Sequence, residues 1–234
     1  MDLINATALI TGGSSGIGRA IAQTLVFAGA KVAITGRNRE RLVDAEKALG
    51  VYGINADVSK EADAVRTIEE VVTELGHLDI LVNNAGVGVF QELVAQDLAS
   101  FESVMATNVT GAMLMGREAA KHFITRNQGN IVNIASTAAV RGAPRGTAYY
   151  ASKFALRGMT ECWRAELRKH NIRVMLVNPS EVVTNFFETA NMPQHANEAK
   201  LQPEDIAHAV KSILEMNDRG FTTELTVFAT NPHD

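Results

Sequence analysis

Cysteine, metal-ligand spacing and long apolar runs are largely missing from this sequence. Cys162 is the one cysteine among 234 residues, which excludes an internal disulfide and fits a reducing compartment. The six histidines show no ligand-like spacing, so we expect no metal site. No apolar run approaches the ~18 residues of a membrane span, and the N-terminus lacks the pattern of a signal peptide. We therefore expect a cytoplasmic protein that contacts neither a metal ion nor a membrane.

An excess of charge of either sign is also absent. The chain carries 22 basic and 26 acidic residues, for a net charge of −4. Without a basic excess, a nucleic-acid partner is not expected. Hydrophobic residues make up 46% of the chain, an ordinary share for a globular protein. Neither a repeat nor a linker interrupts the sequence, so its length predicts one α/β domain over residues 1–234.

What the sequence does contain is an alternation of apolar runs and helix-like segments. Seven short, apolar runs predict strands: Ala6–Ile10, Lys31–Thr35, Val51–Asn55, Ile80–Val82, Asn130–Ala135, Arg173–Asn178 and Leu225–Phe228. The patterns between them predict helices: Gly16–Phe27, Arg39–Leu49, Glu61–Leu75, Asp97–Arg126, Tyr149–His170 and Pro203–Met216. This alternation predicts a single-domain Rossmann-type fold, a doubly wound parallel sheet of about seven strands with helices on both faces. Ligands of such sheets bind at the carboxyl ends of the strands.

A glycine-rich turn follows the first predicted strand. Gly12, Gly16 and Gly18 stand between Ile10 and an amphipathic helix. Glycines let the backbone approach a pyrophosphate, and the helix N-terminus offers free N–H groups and a positive dipole end. The spacing is not the G-x-G-x-x-G of the general fingerprint, and a plain structural turn is the alternative. The position between an apolar strand and a helix favours a dinucleotide cofactor.

The end of the second predicted strand bears on the choice of cofactor. Enzymes that prefer NAD commonly place an acidic residue there, which binds the ribose hydroxyls. The nearest acid, Glu40, already belongs to the next helix, and Arg37 provides a cation for a 2′-phosphate instead. A solvated surface arginine is the alternative. We expect NADP(H) to be preferred, with NAD(H) as the second choice.

Tyr149 and Lys153 form the predicted catalytic pair, because a spacing of four residues places them on one helical face. A phenol titrates near pH ~10, and a nearby ammonium group lowers that pKa. The pair therefore predicts an acid/base for carbonyl and alcohol chemistry. Ser136 follows the fifth strand, where its hydroxyl can bind the substrate oxygen; a helix cap is the alternative.

Two asparagine-containing segments complete the candidate site. Asn83-Asn84-Ala85-Gly86 follows the fourth predicted strand, where small residues let a flat ring lie against the backbone; an Asn/Gly turn is the alternative. Asn108 lies inside the predicted helix Asp97–Arg126, where asparagine is locally unfavourable. Gly111, shortly after it, predicts a kink or a close contact.

Taken together, these segments resemble the short-chain dehydrogenase/reductase family in its single-domain branch, and more loosely its 3-oxoacyl-carrier-protein reductases and related carbonyl reductases. The matches keep family order from residue 6 to about residue 184: Thr11-Gly12-x-x-x-Gly16-x-Gly18, Asp57-Val58, Asn83-Asn84-Ala85-Gly86, Asn108, Ser136, Tyr149-x-x-x-Lys153 and Asn178-Pro179. The resemblance implies four catalytic residues: Asn108, which holds a relay water through its backbone, Ser136, Tyr149 and Lys153. It implies a cofactor site that consists of Gly12, Ser14, Ser15, Gly16, Ile17, Gly18, Arg37, Asp57, Val58, Asn84, Ala85, Gly86, Tyr149, Lys153, Pro179, Val182 and Thr184.

Two segments depart from the family pattern. Ser180-Glu181 follows Asn178-Pro179 where the family usually has Pro-Gly, so these side chains are expected to narrow or polarise the nicotinamide pocket. The tail after Phe228 lacks the usual glycine-containing segment, which puts the C-terminal subunit contacts in doubt. The resemblance otherwise implies a homotetramer or homodimer that pairs the helices around Met113 and after Tyr149.

The sequence thus predicts an NAD(P)-dependent oxidoreductase that interconverts a carbonyl and a secondary alcohol. NADPH-dependent reduction of a 3-oxoacyl or other ketone substrate is the favoured reaction. A non-catalytic NAD(P)-binding regulator is one alternative, although it would be expected to lose Ser136, Tyr149 or Lys153, which are all present. A nucleotide-sugar epimerase or lyase is the other, although that branch usually carries a larger C-terminal domain.

The predicted substrate loop spans about residues 185–201. Phe186, Phe187 and Met192 predict an apolar wall, which Val87, Val89 and Phe90 are placed to face. Arg141 and Arg145 are interpreted either as a clamp for a carboxylate or phosphate or, as we favour, as solvated loop residues.

Overall fold

The computed structural model describes residues 1–186, 190 and 199–231. Its strands are β1 (Thr7–Ile10), β2 (Lys31–Gly36), β3 (Tyr52–Asn55), β4 (Ile80–Asn83), β5 (Gly129–Ile134), β6 (Ile172–Pro179) and β7 (Glu224–Val227). Its helices are α1 (Gly16–Phe27), α2 (Arg39–Leu49), α3 (Glu61–Leu75), α4 (Leu98–Met105), α5 (Ala112–Arg126), α6 (Thr147–Leu167) and α7 (Pro203–Leu214). A π-helical segment, Ala106–Gly111, joins α4 to α5.

The seven strands form one sheet in the order β3-β2-β1-β4-β5-β6-β7, and every neighbouring pair is parallel. The chain therefore proceeds outward from β1 in one direction and from β4 in the other. A reversal of this kind opens a crevice at the carboxyl ends of the two central strands. The predicted fold class is confirmed.

Apolar side chains cover the sheet on both faces. Alternate residues of a strand point to opposite faces, so Ala8 and Ile10 of β1 pack with α1, α2 and α7, whereas Leu9 packs with α3 and α5. Because both faces are buried, the strands are apolar throughout rather than alternating. The polar turns at the strand ends are therefore the part of the sheet that is free to bind a ligand.

Local signals fix where several helices begin and end. Asn38 caps α2 by accepting a hydrogen bond from the N–H of Arg41, and Gly50 ends the helix with φ of +66°. The carboxylate of Asp205 accepts a bond of 2.8 Å from the N–H of Gln202 at the start of α7, just before Pro203. These are the side-chain N-cap, left-handed C-cap and N-terminal proline preferences of helix ends.

The structure corrects the prediction of one helix over Asp97–Arg126. The helix begins at Leu98, but it changes to π-helical hydrogen bonding over Ala106–Gly111 before α5 begins. Gly111 supplies the predicted close contact, since an added Cβ would lie 2.7 Å from Cγ2 of Val58. Within the described ranges, no helix combines the length and apolar character that a membrane span requires.

Candidate active site

A cleft of about 870 Å³ lies at the carboxyl edge of the sheet. Turns after several strands and the first turns of α6 form its walls. Most of the predicted site residues line it: Gly12, Ser14, Ser15, Gly16, Ile17, Arg37, Asp57, Val58, Asn84, Ala85, Gly86, Ser136, Tyr149, Lys153, Pro179, Val182 and Thr184. Gly18 and Asn108 do not line the cleft, but they contact Asn84 and Val87, which do. The fold thus brings together residues that are distant in sequence.

Backbone conformation shapes the cleft after β1. Gly12 and Gly16 have φ of +65° and +52°, in the left-handed region that favours glycine. The first turn of α1 carries no carboxylate, and among the described residues Ser15 makes no side-chain capping bond there. The first N–H groups of α1 and the positive end of its dipole are therefore available to an anion such as a pyrophosphate.

Gly18 keeps α1 close to the loop after β4. A Cβ added at this position would lie 2.4 Å from Nδ2 of Asn84 and 2.5 Å from the carbonyl oxygen of Gly12. Real side chains do not tolerate such distances, and one of the two atoms belongs to the backbone. Gly18 thus acts on the cleft by allowing close packing, not by contact with a ligand.

Thr11 joins the ends of β1 and β4, a role that we did not predict. Its hydroxyl oxygen accepts hydrogen bonds of 3.0 Å from the backbone N–H groups of Asn84 and Ala85. In return, Nδ2 of Asn84 donates to the carbonyl oxygens of Thr11 and Gly12, at 3.0 and 3.3 Å. The Asn84–Gly86 turn is therefore fixed against the glycine turn. A hydroxyl at a strand end was the available signal.

Two arginines lie at the end of β2. Arg37 is exposed and lines the cleft, as does Arg41, which the sequence reasoning missed, from the first turn of α2. Nδ2 of Asn55 holds the turn by donating to the carbonyl oxygens of Gly36 and Arg37, at 2.8 and 3.1 Å. The cleft therefore ends here between two guanidinium groups, which suit a phosphate.

Asp57 and Val58 lie across from these arginines, after β3. Oδ1 of Asp57 accepts hydrogen bonds from the N–H and hydroxyl of Ser59, at 3.1 and 2.7 Å. The N–H of Asp57 donates to Asp63 at 2.8 Å, and this bond contributes most to lowering the pKa of the Asp63 carboxyl. Val58 is buried against Gly111. The turn is thus anchored to α3 and to the π-helical segment.

Lys153 and Tyr149 lie on one face of α6, next to the end of β5. Lys153 is only 5% exposed, and its Nζ donates to the carbonyl oxygen of Ile134 at 3.0 Å. Burial disfavours the charged ammonium form and lowers the pKa of Lys153 to about 8. Nζ lies 5.6 Å from the centroid of the Tyr149 ring.

The predicted lowering of the Tyr149 pKa by Lys153 was wrong for this structure. Burial disfavours the phenolate and raises the pKa of Tyr149 to about 12, although hydrogen bonding with Ser136 acts in the opposite direction. Lys153 does not offset the effect, because its ammonium group is directed to the carbonyl of Ile134 and is itself desolvated. At neutral pH the phenol is therefore protonated.

Ser136 caps a short turn, which is the alternative that its position suggested. Its Oγ accepts a hydrogen bond of 3.1 Å from the N–H of Ala138, which caps the short 3-10 turn Thr137–Ala139. It also lies close enough to Tyr149 to favour the phenolate, which acts against the rise in the pKa of Tyr149. Capping fixes the side chain at the cleft wall beside the phenol.

Asn108 is held by three hydrogen bonds behind the cleft. Its Oδ1 accepts from the N–H of Val87 at 2.8 Å, and its Nδ2 donates to the Val87 carbonyl at 2.9 Å and to Oγ of Ser152 at 3.0 Å. Ser152, which is fully buried and was not predicted, donates in turn to the carbonyl of Tyr149 at 2.6 Å. The π-helical segment is thereby joined to α6 by hydrogen bonds.

The residues after β6 form the opposite wall. Val182 pairs with Leu201 in an isolated bridge, and the N–H of Val183 donates to the Leu201 carbonyl at 2.8 Å. Oε1 of Glu181 accepts from Nζ of Lys200 at 2.9 Å, and both side chains line the cleft. The atypical Ser180-Glu181 pair thus adds polar groups to this wall of the cleft.

Several other predictions concern the mouth of the cleft. Phe90, Phe186 and Arg141 line it, and Arg145, which is exposed, does not. Phe187 and Met192, together with most of the predicted loop 185–201, lie outside the described residues. Among the residues that are described, no group of three or more His, Cys, Asp or Glu is arranged to hold a metal ion.

Comparison with known sequences identifies related proteins over nearly the whole chain. The short chain dehydrogenase family matches residues 6–195. A short-chain dehydrogenase/reductase of Armillaria gallica is 34% identical, over 94% of this chain and 92% of its own.

Solved structures are similar to this chain in fold over almost its whole length. A 3-ketoacyl-(acyl-carrier-protein) reductase from Brucella melitensis, complexed with NADH, has a TM-score of 0.91 and 30% identity, over 98% of this chain and 99% of its own. An alcohol dehydrogenase from Thermococcus sibiricus, complexed with 5-hydroxy-NADP, has a TM-score of 0.87 and 25% identity, over 98% of both chains.

Proposed function

This chain belongs to the short chain dehydrogenase family, and on that premise we propose that it reduces a ketone, with a 3-oxoacyl compound as one candidate, to a secondary alcohol with NADPH. The observation that carries the proposal is that one cleft holds a glycine turn at a helix N-terminus together with Ser136, Tyr149 and Lys153. The glycine turn suits the binding of a pyrophosphate, and the three side chains suit a proton transfer to oxygen.

The described residues fit a dinucleotide. Gly12 and Gly16 leave a wall without side chains in front of the N–H groups of α1, where the pyrophosphate would bind. Asp57 and Val58 would border the adenine, and the backbone of Asn84–Gly86 would lie along the ribose. Thr184, whose Cγ2 lies 3.5 Å from a Cβ added at Gly16, would contact the carboxamide. The relatives named above bind both kinds of nicotinamide dinucleotide.

Arg37 and Arg41 support a preference for NADPH. Their guanidinium groups are the cations at the end of the cleft where the adenosine ribose would lie. Glu40, the nearest acid along the chain, lies on α2 and is exposed. A 2′-phosphate would therefore meet positive charge at this position.

The side chains beside the end of β5 suit proton transfer to a carbonyl oxygen. NADPH supplies the hydride that reaches the carbonyl carbon. Tyr149, with a pKa raised to about 12, is protonated at neutral pH and so can donate its proton to the carbonyl oxygen. The hydroxyl of Ser136 would hydrogen-bond to the same oxygen, and Lys153 would hold the hydroxyls of the nicotinamide ribose. Asn108 would hold a water through its backbone, as part of a proton path to Lys153.

The decisive experiment is the oxidation of NADPH with a panel of ketones, aldehydes and acyl thioesters. We expect Tyr149→Phe to reduce kcat at least about 100-fold, the scale of a lost general acid, while NADPH binding persists. Tyr150→Phe, the matched control on the next residue, is expected to keep most of the activity. Near-normal turnover by Tyr149→Phe would contradict the mechanism.

The same assay tests the choice of cofactor. Arg37→Ala is expected to lower kcat/KM for NADPH about 10- to 100-fold, because a charged hydrogen bond is lost, and to leave kcat/KM for NADH unchanged. Equal use of both cofactors by the wild-type protein would remove the role assigned to Arg37. Binding of NADPH without turnover of any carbonyl would favour the regulator instead.

A further inference from the structure

Two phenyl rings flank the ring of Tyr149. The centroid of Phe90 lies 5.5 Å from that of Tyr149 at an interplanar angle of 47°, and the centroid of Phe186 lies 5.4 Å away at 52°. Aromatic pairs attract one another at these separations. Phe90 follows β4 and Phe186 follows β6, so separate loops supply the two rings. Neither ring is needed for proton transfer.

Gly88 provides the space that both rings occupy. A Cβ added at Gly88 would lie 2.6 Å from Cζ of Phe186 and 3.1 Å from Cε2 of Phe90. Gly88 is buried. A side chain at residue 88 would therefore displace Phe186 from the Tyr149 ring. The two rings can occupy their positions because residue 88 has no side chain.

Apolar residues line the same cleft as the two rings and Tyr149: Val87, Ala138, Ala143 and Pro144. Charged residues line it as well, among them Lys153, Arg141 and the ion pair of Glu181 with Lys200 at 2.9 Å. The two phenyl rings add uncharged, aromatic surface directly beside the phenol, and this surface suits a flat, apolar group of a ligand.

We propose that Phe90 and Phe186, with Gly88 making room for them, form an aromatic collar that selects ketones bearing a flat aromatic group beside the carbonyl. This inference rests on the proposed function, because both rings lie beside the phenol assigned to protonate the carbonyl oxygen. A flat ring gains edge and offset contacts with the collar in addition to the burial of its area. A saturated ring of the same size gains the burial alone.

The test compares acetophenone with cyclohexyl methyl ketone, which share a carbon skeleton but differ in flatness. Their kcat/KM ratio with NADPH is measured for the wild-type protein, Phe90→Leu and Phe186→Leu, so that the different intrinsic reactivity of the two ketones cancels. Each variant is expected to lower the ratio about three- to tenfold, the worth of an aromatic pair, mainly through the KM for acetophenone. Gly88→Ala is expected to act in the same direction, because its Cβ displaces Phe186.

Phe27→Leu is the matched control, since Phe27 is 81% exposed on α1, and it is expected to keep the wild-type ratio. If the wild-type protein reduces neither ketone but reduces another carbonyl compound of the panel, the collar alone is refuted. If it oxidises NADPH with no compound of the panel, the proposed function fails together with the collar. If it reduces both ketones and the collar variants keep the wild-type ratio, the collar alone is refuted.

Discussion

Burial acts in opposite directions on the pKa values of Tyr149 and Lys153, which both lie on α6. It raises the pKa of Tyr149 to about 12 and lowers that of Lys153 to about 8, because in each case the charged form loses its hydration. The phenol is therefore harder to ionise than a free tyrosine, and the amine titrates closer to neutral pH than a free lysine. Burying these two groups in the cleft lowers the free energy of unfolding, so its effect should be measurable in stability as well as in activity.

The pH dependence of unfolding measures this cost for Lys153. Its pKa of about 8 in the folded protein lies below its ordinary value of 10.5, so between these values the unfolded chain binds more protons. The stability of the wild-type protein should therefore rise with pH in this window, by about 2 kcal/mol between pH 8 and pH 10 relative to Lys153→Met. Urea unfolding at the two pH values gives the comparison. Parallel pH profiles for the two proteins would show that the folded-state pKa of Lys153 is not depressed.

Helix α1 can approach the loop after β4 closely because residue 18 is a glycine. Alanine favours a helix over glycine by ~1 kcal/mol, yet a Cβ at Gly18 would meet the Gly12 carbonyl oxygen at 2.5 Å. Gly18→Ala should thus destabilise the protein by about 1–3 kcal/mol in urea unfolding, the usual cost of overpacking.

Gly158 offers a matched control on α6, because within the described part of the chain nothing lies within 4 Å of an added Cβ. Gly158→Ala is expected to stabilise the protein by up to about 1 kcal/mol, through helix propensity alone. Equal effects of the two substitutions would refute the packing role of Gly18.

The helices that the sequence predicts best are those whose signals are local. The predicted bounds of α1, α2 and α3 agree with the structure, because each helix has apolar residues at helical spacing within its own segment. For α2, the residues that end the helix, Asn38 and Gly50, directly flank the segment. The π-helical segment at Ala106–Gly111 could not be predicted in this way. Its Asn108 binds Val87 and Ser152, which lie on other segments, so the cause of the irregularity is tertiary.

The same distinction holds for the candidate site. Residues with a recognisable motif, such as Gly12 and Tyr149, were predicted and do line the cleft. The structural roles of Thr11 and Ser152 were not predicted, because these roles consist of hydrogen bonds to backbone groups of other residues. The pKa of Tyr149 was predicted in the wrong direction, since sequence spacing does not reveal how deeply a pair is buried or where its ammonium group points.

At the scale of the whole molecule, apolar side chains remain exposed on the helices that are expected to pair between subunits. Leu98 on α4 is 69% exposed and Phe154 on α6 is 46% exposed, and these two helices pack against each other. Exposed apolar surface can mark an interface. The sequence leads us to expect a homotetramer or a homodimer, and we propose that a homotetramer forms and uses these side chains.

Light scattering tests the assembly. A tetramer of 25.2 kDa chains would have a mass of about 101 kDa (4 × 25.2). We expect Phe154→Glu to shift the protein to smaller species, because a charge would be buried at the interface, whereas Phe27→Glu on α1 should not. A wild-type protein that is monomeric at micromolar concentration would overturn this proposal.

The wall after β6 has a consequence for how new specificities can arise. The Val182–Leu201 bridge and the Glu181–Lys200 ion pair hold the two ends of the intervening segment side by side. The entropy of closing the segment is then nearly independent of what lies between its ends, since it grows only slowly with length. A change in the length of this segment is therefore expected to cost little free energy of loop closure, provided that the bridge and the ion pair are kept.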